Sequence, residues 1–176
     1  KKEYTWVITA FTSGASTRNV SQITPSINCW IANNTGGNVT KVRASDGANL
    51  GFFPAATFPT GVAFDGANIW VTNAGSNSVT KLRASDGVVQ GAFAVGVSPT
   101  GIAFDGANLW VANAGSHTVT KLRATDGMAL STFATGLSPN SVAFDGRNIW
   151  VTNTQSASVT KLRASDGMNR GTFPVG

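Results

Sequence analysis

The sequence predicts an all-β protein assembled from repeated four-stranded antiparallel sheets. Three observations predict it. The stretch FDGANIWVTNAGSNSVTKLRASDG, from Phe64 to Gly87, returns almost unchanged from Phe104 and again from Phe144. Trp30, Trp70, Trp110 and Trp150 are spaced by 40 residues, as are Lys41, Lys81, Lys121 and Lys161. Charged residues make up only 12% of the chain, so the side chains that favour long helices are scarce. Its β-branched runs are instead broken by Gly and Asp-Gly, which favours strands and tight turns.

Each unit parses into four short strands, as the second unit shows. Thr60 to Phe64 is the first. Asp65-Gly66-Ala67-Asn68 turns the chain, because Asp and Gly accept the backbone angles of a tight hairpin. Asn68 to Asn73 is the second strand, and a looser polar loop, Ala74 to Asn77, leads into the third, Ser78 to Ala84. Ser85-Asp86-Gly87 turns again, and Val88 to Val95 is the fourth. Pro59, Pro99 and Pro139 precede the first strands, where a missing N–H does little harm. A 40-residue period with no helix between units matches the blades of a β-propeller. The expected architecture is four 40-residue, four-stranded antiparallel blades at 18–56, 57–96, 97–136 and 137–176, with an extra N-terminal strand in residues 1–17.

That N-terminal segment falls outside the 40-residue phase, yet Tyr4 to Phe11 reads as strand. Two roles are open. It latches onto an outer edge of its own chain, or it is donated to a neighbouring molecule and builds a homo-oligomer or filament. Ring closure is open as well: a small four-bladed ring, two chains in one larger ring, or part of a longer array. An unclosed stack leaves a bare face and edge and is the least expected.

A lone blade has apolar groups on both faces, so each must cover its neighbour. The recurring Trp is most simply a wedge between blades. Its burial removes some 150–250 Å² from water, worth about 4–6 kcal/mol as an upper bound. The Lys and Arg of each K-x-R share a face of the third strand. They are expected to lay their stems on the sheet with the charged heads in water.

The run P-T-G-V-A-F-D-G-A-N-I-W-V-T-N, followed by V-T-K-L-R-A-S-D-G, resembles the bacterial propeller repeats grouped as NHL, YVTN and virginiamycin B lyase-like. The resemblance covers residues 57–176 well and 18–56 weakly. It implies the fold and leaves activity open, since such propellers serve as enzymes, binding platforms and surface proteins. The lyases of that group have more than four blades, so this chain departs from them.

A lyase would need a general acid or base near a polarised substrate, often with a metal ion. The carboxylates here are Glu3 and seven Asp, and all seven Asp fall in phase at turns: Asp46, Asp65, Asp86, Asp105, Asp126, Asp145 and Asp166. The only histidine, His117, stands where the other long loops carry Gly37, Asn77 and Ala157. No cofactor, metal site or catalytic residue is assigned, and the lyase remains a second alternative. Cys29 is the only cysteine, so no disulfide forms within the chain. Net charge is +5, but eight of thirteen basic residues are distributed by the repeat and form no single patch, which argues against nucleic acid. No apolar run is long enough to span a membrane, and Lys1-Lys2-Glu3 does not start a signal peptide.

A binding role for a protein or glycan fits better. The Asp-Gly turns gather on one face of the array and are nearly identical. The loops NNTGGN, NAGSNS, NAGSHT and NTQSAS gather on the other, with the connectors ATFPT, GVSPT and GLSPN. These vary, and they are polar and neutral, which suits hydrogen bonding to a ligand. Candidate ligand-binding residues are Asn33, Asn73, Asn113, Asn153, Asn77 and His117. For the first four, capping of loop backbone is the competing role. The expected setting is extracellular or at the cell surface. The alternative is a structural subunit assembled through the N-terminal strand.

Overall fold

Alternating side chains, closed off by turns that require Asp and Gly, give six-residue strands throughout the repeats. The computed structural model describes the backbone of residues 7–10 and 18–21 and the whole of residues 28–175. The first sheet holds β1 (Val7–Ala10), β2 (Arg18–Ser21), β3 (Asn28–Asn33), β4 (Asn38–Arg43) and β5 (Asn49–Pro54). The second holds β6 (Pro59–Phe64), β7 (Asn68–Asn73), β8 (Ser78–Arg83) and β9 (Val89–Ala94). The third holds β10 (Pro99–Phe104), β11 (Asn108–Asn113), β12 (Thr118–Arg123) and β13 (Ala129–Ala134). The fourth holds β14 (Pro139–Phe144), β15 (Asn148–Asn153), β16 (Ser158–Arg163) and β17 (Asn169–Pro174). Every sheet runs antiparallel in chain order, so each is a blade.

The extra strand is present but lies elsewhere than expected. β1 pairs with β2, on the edge opposite β5, so it extends the inner side of the first blade and not an outer edge. The reason is proximity in sequence: a short connection closes a hairpin at little entropic cost. Tyr4, Thr5, Trp6 and Phe11 lie outside the described residues.

First strands of successive blades approach one another on the inner side. Thr72 Oγ1 donates to the Thr100 carbonyl at 2.6 Å and accepts from Gly61 N–H at 2.6 Å. A β-carbon at Gly61 would collide with the Thr100 carbonyl, so glycine lets the strands draw this close.

Each blade has two unlike faces. One carries Trp, Lys and Val, as Trp70, Lys81 and Val79. The other carries Ile, Val and Leu, as Ile69, Val71 and Leu82. The Trp face of one blade packs on the aliphatic face of the next. Trp30 and Val39 meet Val62, Ile69, Val71 and Leu82. Trp70 and Val79 meet Ile102, Leu109, Val111 and Leu122. Trp110 and Val119 meet Ile149, Val151 and Leu162. Trp30, Trp70 and Trp110 are thus the expected wedges, each buried and backed by Phe53, Phe93 or Phe133 of its own blade. Trp150 is the exception. It is only partly buried, because no blade among the described residues covers it.

The K-x-R expectation is half overturned. The arginines lie at the surface, Arg43 and Arg83 exposed and Arg123 and Arg163 partly so, and pair with the turn aspartates, as Arg83 with Asp86 at 3.0 Å. The lysine heads are not in water. Lys41, Lys81 and Lys121 are 8%, 7% and 8% exposed. Each ammonium sits over the Trp of its own blade, 4.8–5.2 Å from the ring centroid. Each also crosses to the next blade. Lys41 donates to the Ala84 and Ser85 carbonyls, Lys81 to Ala124 and Thr125, and Lys121 to Ala164, at 2.8–3.1 Å. A buried charge must find such partners, and backbone carbonyls at the turn supply them. Burial holds the Lys41 pKa below the usual lysine value, and Asp86 partly offsets this.

The aspartates of the first turn serve the same core. Asp65 Oδ2 accepts the Trp70 indole N–H at 2.7 Å, and its Oδ1 accepts the N–H groups of Ala67 and Asn68. Asp105 and Asp145 repeat this with Trp110 and Trp150. Burial pushes the Asp65 and Asp105 carboxyls up, but the bonds from indole, side-chain amide and backbone outweigh it and leave both below the ordinary value of 3.8.

Two outcomes follow. Lys81→Met keeps the stem but removes the charged donor from one buried and one partly buried carbonyl, and thermal unfolding should show a loss of about 1.5–3 kcal/mol. Because the folded-state carboxyls are depressed, their stabilisation is complete above the unfolded pKa of about 4 and is lost as pH falls through the lower folded value. Asp105→Asn should therefore lower the melting temperature at pH 7, and the gap to the wild type should narrow below about pH 4.

The variable loop face as candidate functional site

Loops between second and third strands and connectors between blades gather on one face, opposite the Asp-Gly turns. Their positions are fixed by backbone clamps. In the connector after β9, Val95 N–H donates to the Asn77 carbonyl, and Ser98 N–H to Asn77 Oδ1 at 2.9 Å. The next blade's loop then pairs with the connector's other side, through Ala114 N–H to the Ser98 carbonyl and Gly115 N–H to Val97. Every connector is held between the loops of two blades.

This places the candidate residues plainly. Asn73, Asn113 and Asn153 are buried. Their amide nitrogens donate to Thr80, Thr120 and Thr160 Oγ1 at 2.9–3.0 Å, pinning the hairpin from within. In this arrangement they do the work of loop capping and are not at the surface. Asn33 is partly exposed and bonds Asn38 and Thr40 in the same way. Asn77 is exposed, with its side-chain oxygen held by Ser98. His117 is partly exposed, and Nδ1 accepts the Ser138 N–H at 3.0 Å. The imidazole therefore stands in for the Asn77 amide. Both residues lie in the left-handed region, at φ of 51° and 55°.

The surface that remains is one the sequence did not single out. Clamping the connectors from both sides turns one side chain per junction outward. Phe58, Val97 and Leu137 are each about half exposed, at 50%, 51% and 50%. Phe58 sits one position later than the other two and holds φ of 53°, where Ser98 and Ser138 hold 50° and 55°. A bulky residue in that region is strained, and such strain gathers at functional sites. Phe58 also walls a cleft of about 470 Å³ between the loop after β3 and the connector after β5. Asn34, Thr35, Gly36 and Gly37 line it from the loop, and Thr57 and Phe58 from the connector. The signal in the sequence was the drift from VS and LS to TF at this one connector.

The described carboxylates are all engaged. Asp46, Asp86, Asp126 and Asp166 bond Arg43, Arg83, Arg123 and Arg163, while Asp65, Asp105 and Asp145 hold indoles. Among the described residues no three His, Cys, Asp or Glu side chains gather, and no helix is long and apolar enough to cross a membrane.

A scan against protein-family models finds no match, and nor does a search of the curated proteins. Solved structures do resemble the chain. A hydrazine synthase from Kuenenia stuttgartiensis is 23% identical with a TM-score of 0.76, over 83% of this chain and 45% of that one. A streptogramin B lyase is 18% identical with a TM-score of 0.76, over 98% and 59%. The WD40 repeats of RRP9 are 13% identical with a TM-score of 0.75, over 84% and 47%. At these identities the likeness is one of fold. With the repeated blades it makes this chain a β-propeller repeat protein. The chain spans about half the length of the hydrazine synthase and RRP9 chains it matches.

If His117 acts as a loop pin, His117→Asn should leave Ser138 amide exchange unchanged. His117→Ala should speed that exchange roughly three- to ten-fold, the worth of one net hydrogen bond.

Proposed function

We propose that the protein is a non-enzymatic propeller whose variable loop face binds a protein or glycan, outside the cell or at its surface. The observation that carries the reading is Phe58. It is an aromatic ring half in solvent, held in a costly backbone conformation, beside a cleft of neutral hydrogen-bonding groups. An apolar wall with a few convergent polar groups is the usual make-up of a ligand site. An aromatic face also suits the apolar side of a sugar ring or an apolar side chain. Val97 and Leu137 extend the apolar row along the same face. Engagement of every described carboxylate supports binding over catalysis. The neutral, Asn- and Thr-rich loops are compatible with an extracellular setting.

Phe58→Ser gives a clean test, because serine already occupies the same conformation at Ser98 and Ser138. The variant should melt no lower than the wild type. On arrays of immobilised glycans and extracellular proteins, any spot retained by the labelled wild-type chain should weaken at least ten-fold with the variant. Equal retention, or no retained spot on either array for the wild type, overturns the reading.

A further inference from the structure

The blade junction is a one-way lock, and the two ends of the array carry its two unmatched halves. Blade four presents an uncovered Trp face. Trp150, Val159 and Lys161 are partly exposed where their counterparts in blade three are buried, and Phe173 is 45% exposed. Blade one presents an aliphatic face that no other described blade covers. Ile31 and Val42 are partly exposed where Val71 and Leu82 are buried, and Phe52 is 66% exposed. Ile31, Val42 and Phe52 line a hollow of about 490 Å³ on that face. Among the described residues no comparable packing joins blade four to blade one, so of the three closures left open by the sequence the four-bladed ring has no junction between these two faces.

Two polar and steric features show that these halves fit each other. The first is the lysine. Lys41, Lys81 and Lys121 each reach carbonyls of the following blade, whereas Lys161, 4.6 Å from its Trp150 centroid, reaches none among the described residues. The carbonyls at the matching position of blade one belong to Ala44 and Ser45, both exposed, and no described lysine reaches them. The second is the phenylalanine over glycine. The rings of Phe53, Phe93 and Phe133 lie against Gly87, Gly127 and Gly167 of the next blade, where a β-carbon would collide. Around Gly47, the matching glycine of blade one, a β-carbon would meet nothing within 4 Å. Phe173 is the ring left over.

We propose that two copies of this chain join head to tail, blade four of each on blade one of the other, and close an eight-bladed ring. Lys161 then donates to Ala44 and Ser45 of the second copy, and Phe173 covers its Gly47. A heterologous contact forms a ring when its rotation closes. Eight blades lie within the range of closed propellers. Once one junction forms, the second is intramolecular and gains from effective concentration. This assembly needs no exchange of the N-terminal strand, since β1 pairs within its own chain.

Sedimentation velocity on the 176-residue chain tests it. At 1–100 µM, by order of magnitude the range for standard interfaces, the expected particle has twice the 18.1 kDa chain mass. Lys161→Glu sets a carboxylate against the two carbonyls, and Phe52→Arg puts a charge on the opposite face. Each should weaken dimerisation at least ten-fold while the far-ultraviolet circular dichroism stays that of the wild type, since Phe52 is mostly exposed and Lys161 contributes to its own blade only a contact over the partly exposed Trp150 ring. A wild type that remains at one chain mass to 100 µM, a dimer indifferent to both variants, or growth into open-ended polymers overturns the proposal. The first of these outcomes is the one expected if the end faces instead receive further blades of a longer chain.

Discussion

The ammonium of Lys81 lies on the indole of Trp70 and donates to carbonyls in the next blade, and the same lysine recurs at each junction. This contact does three things at once. It neutralises the negative end of a turn that has surplus carbonyls. It lies over the ring of the indole whose N–H Asp65 takes. It also fixes how deep one sheet sits on the next, because a charge of this kind has little freedom to slide once desolvated. Dispersion and apolar burial supply most of the energy of the interface. The polar triad supplies its direction: every blade accepts its neighbour in one order and one register. Phenylalanine over glycine adds a steric stop at the rim.

Loop positions inherit that precision. The connectors are not loosely draped, since each is bonded to loops on both sides, and the clamp pushes one side chain per junction into solvent. A rigid frame with a variable, partly apolar rim separates the demands of folding from those of recognition. The turn face, where Asp and Arg pair and Asp holds indole, has almost no freedom to change. The loop face retains it.

The sequence made the fold legible because the fold is periodic. Trp30, Trp70, Trp110 and Trp150 announced the wedges, and the Asp-Gly pairs marked the turns to within a residue. The period could not reveal direction. Lys81 reads as an ordinary amphipathic strand residue until its neighbour is in place, and its acceptors are main-chain atoms that no side-chain pattern encodes. The surroundings of the loop asparagines were hidden for a related reason. Asn73, Asn113 and Asn153 end a strand beside a variable loop, as a ligand-binding residue would, yet the hydroxyls that occupy them sit on the facing strand, two positions beyond the paired residue, at Thr80, Thr120 and Thr160. Phe58 escaped notice because one substitution within a connector is a small signal. Its meaning lies in a backbone angle, which the residue itself disfavours and the surrounding clamp imposes.

A one-way lock that is identical at every junction also bears on how such genes change length. Excising or duplicating one full 40-residue unit brings a Trp face to an aliphatic face just as before, with lysine, carbonyl, phenylalanine and glycine still in place. Unequal recombination between the near-identical copies would therefore yield foldable products at once. Blade number becomes the quantity that heredity can adjust most cheaply, while a shift by any fraction of a unit would be purged.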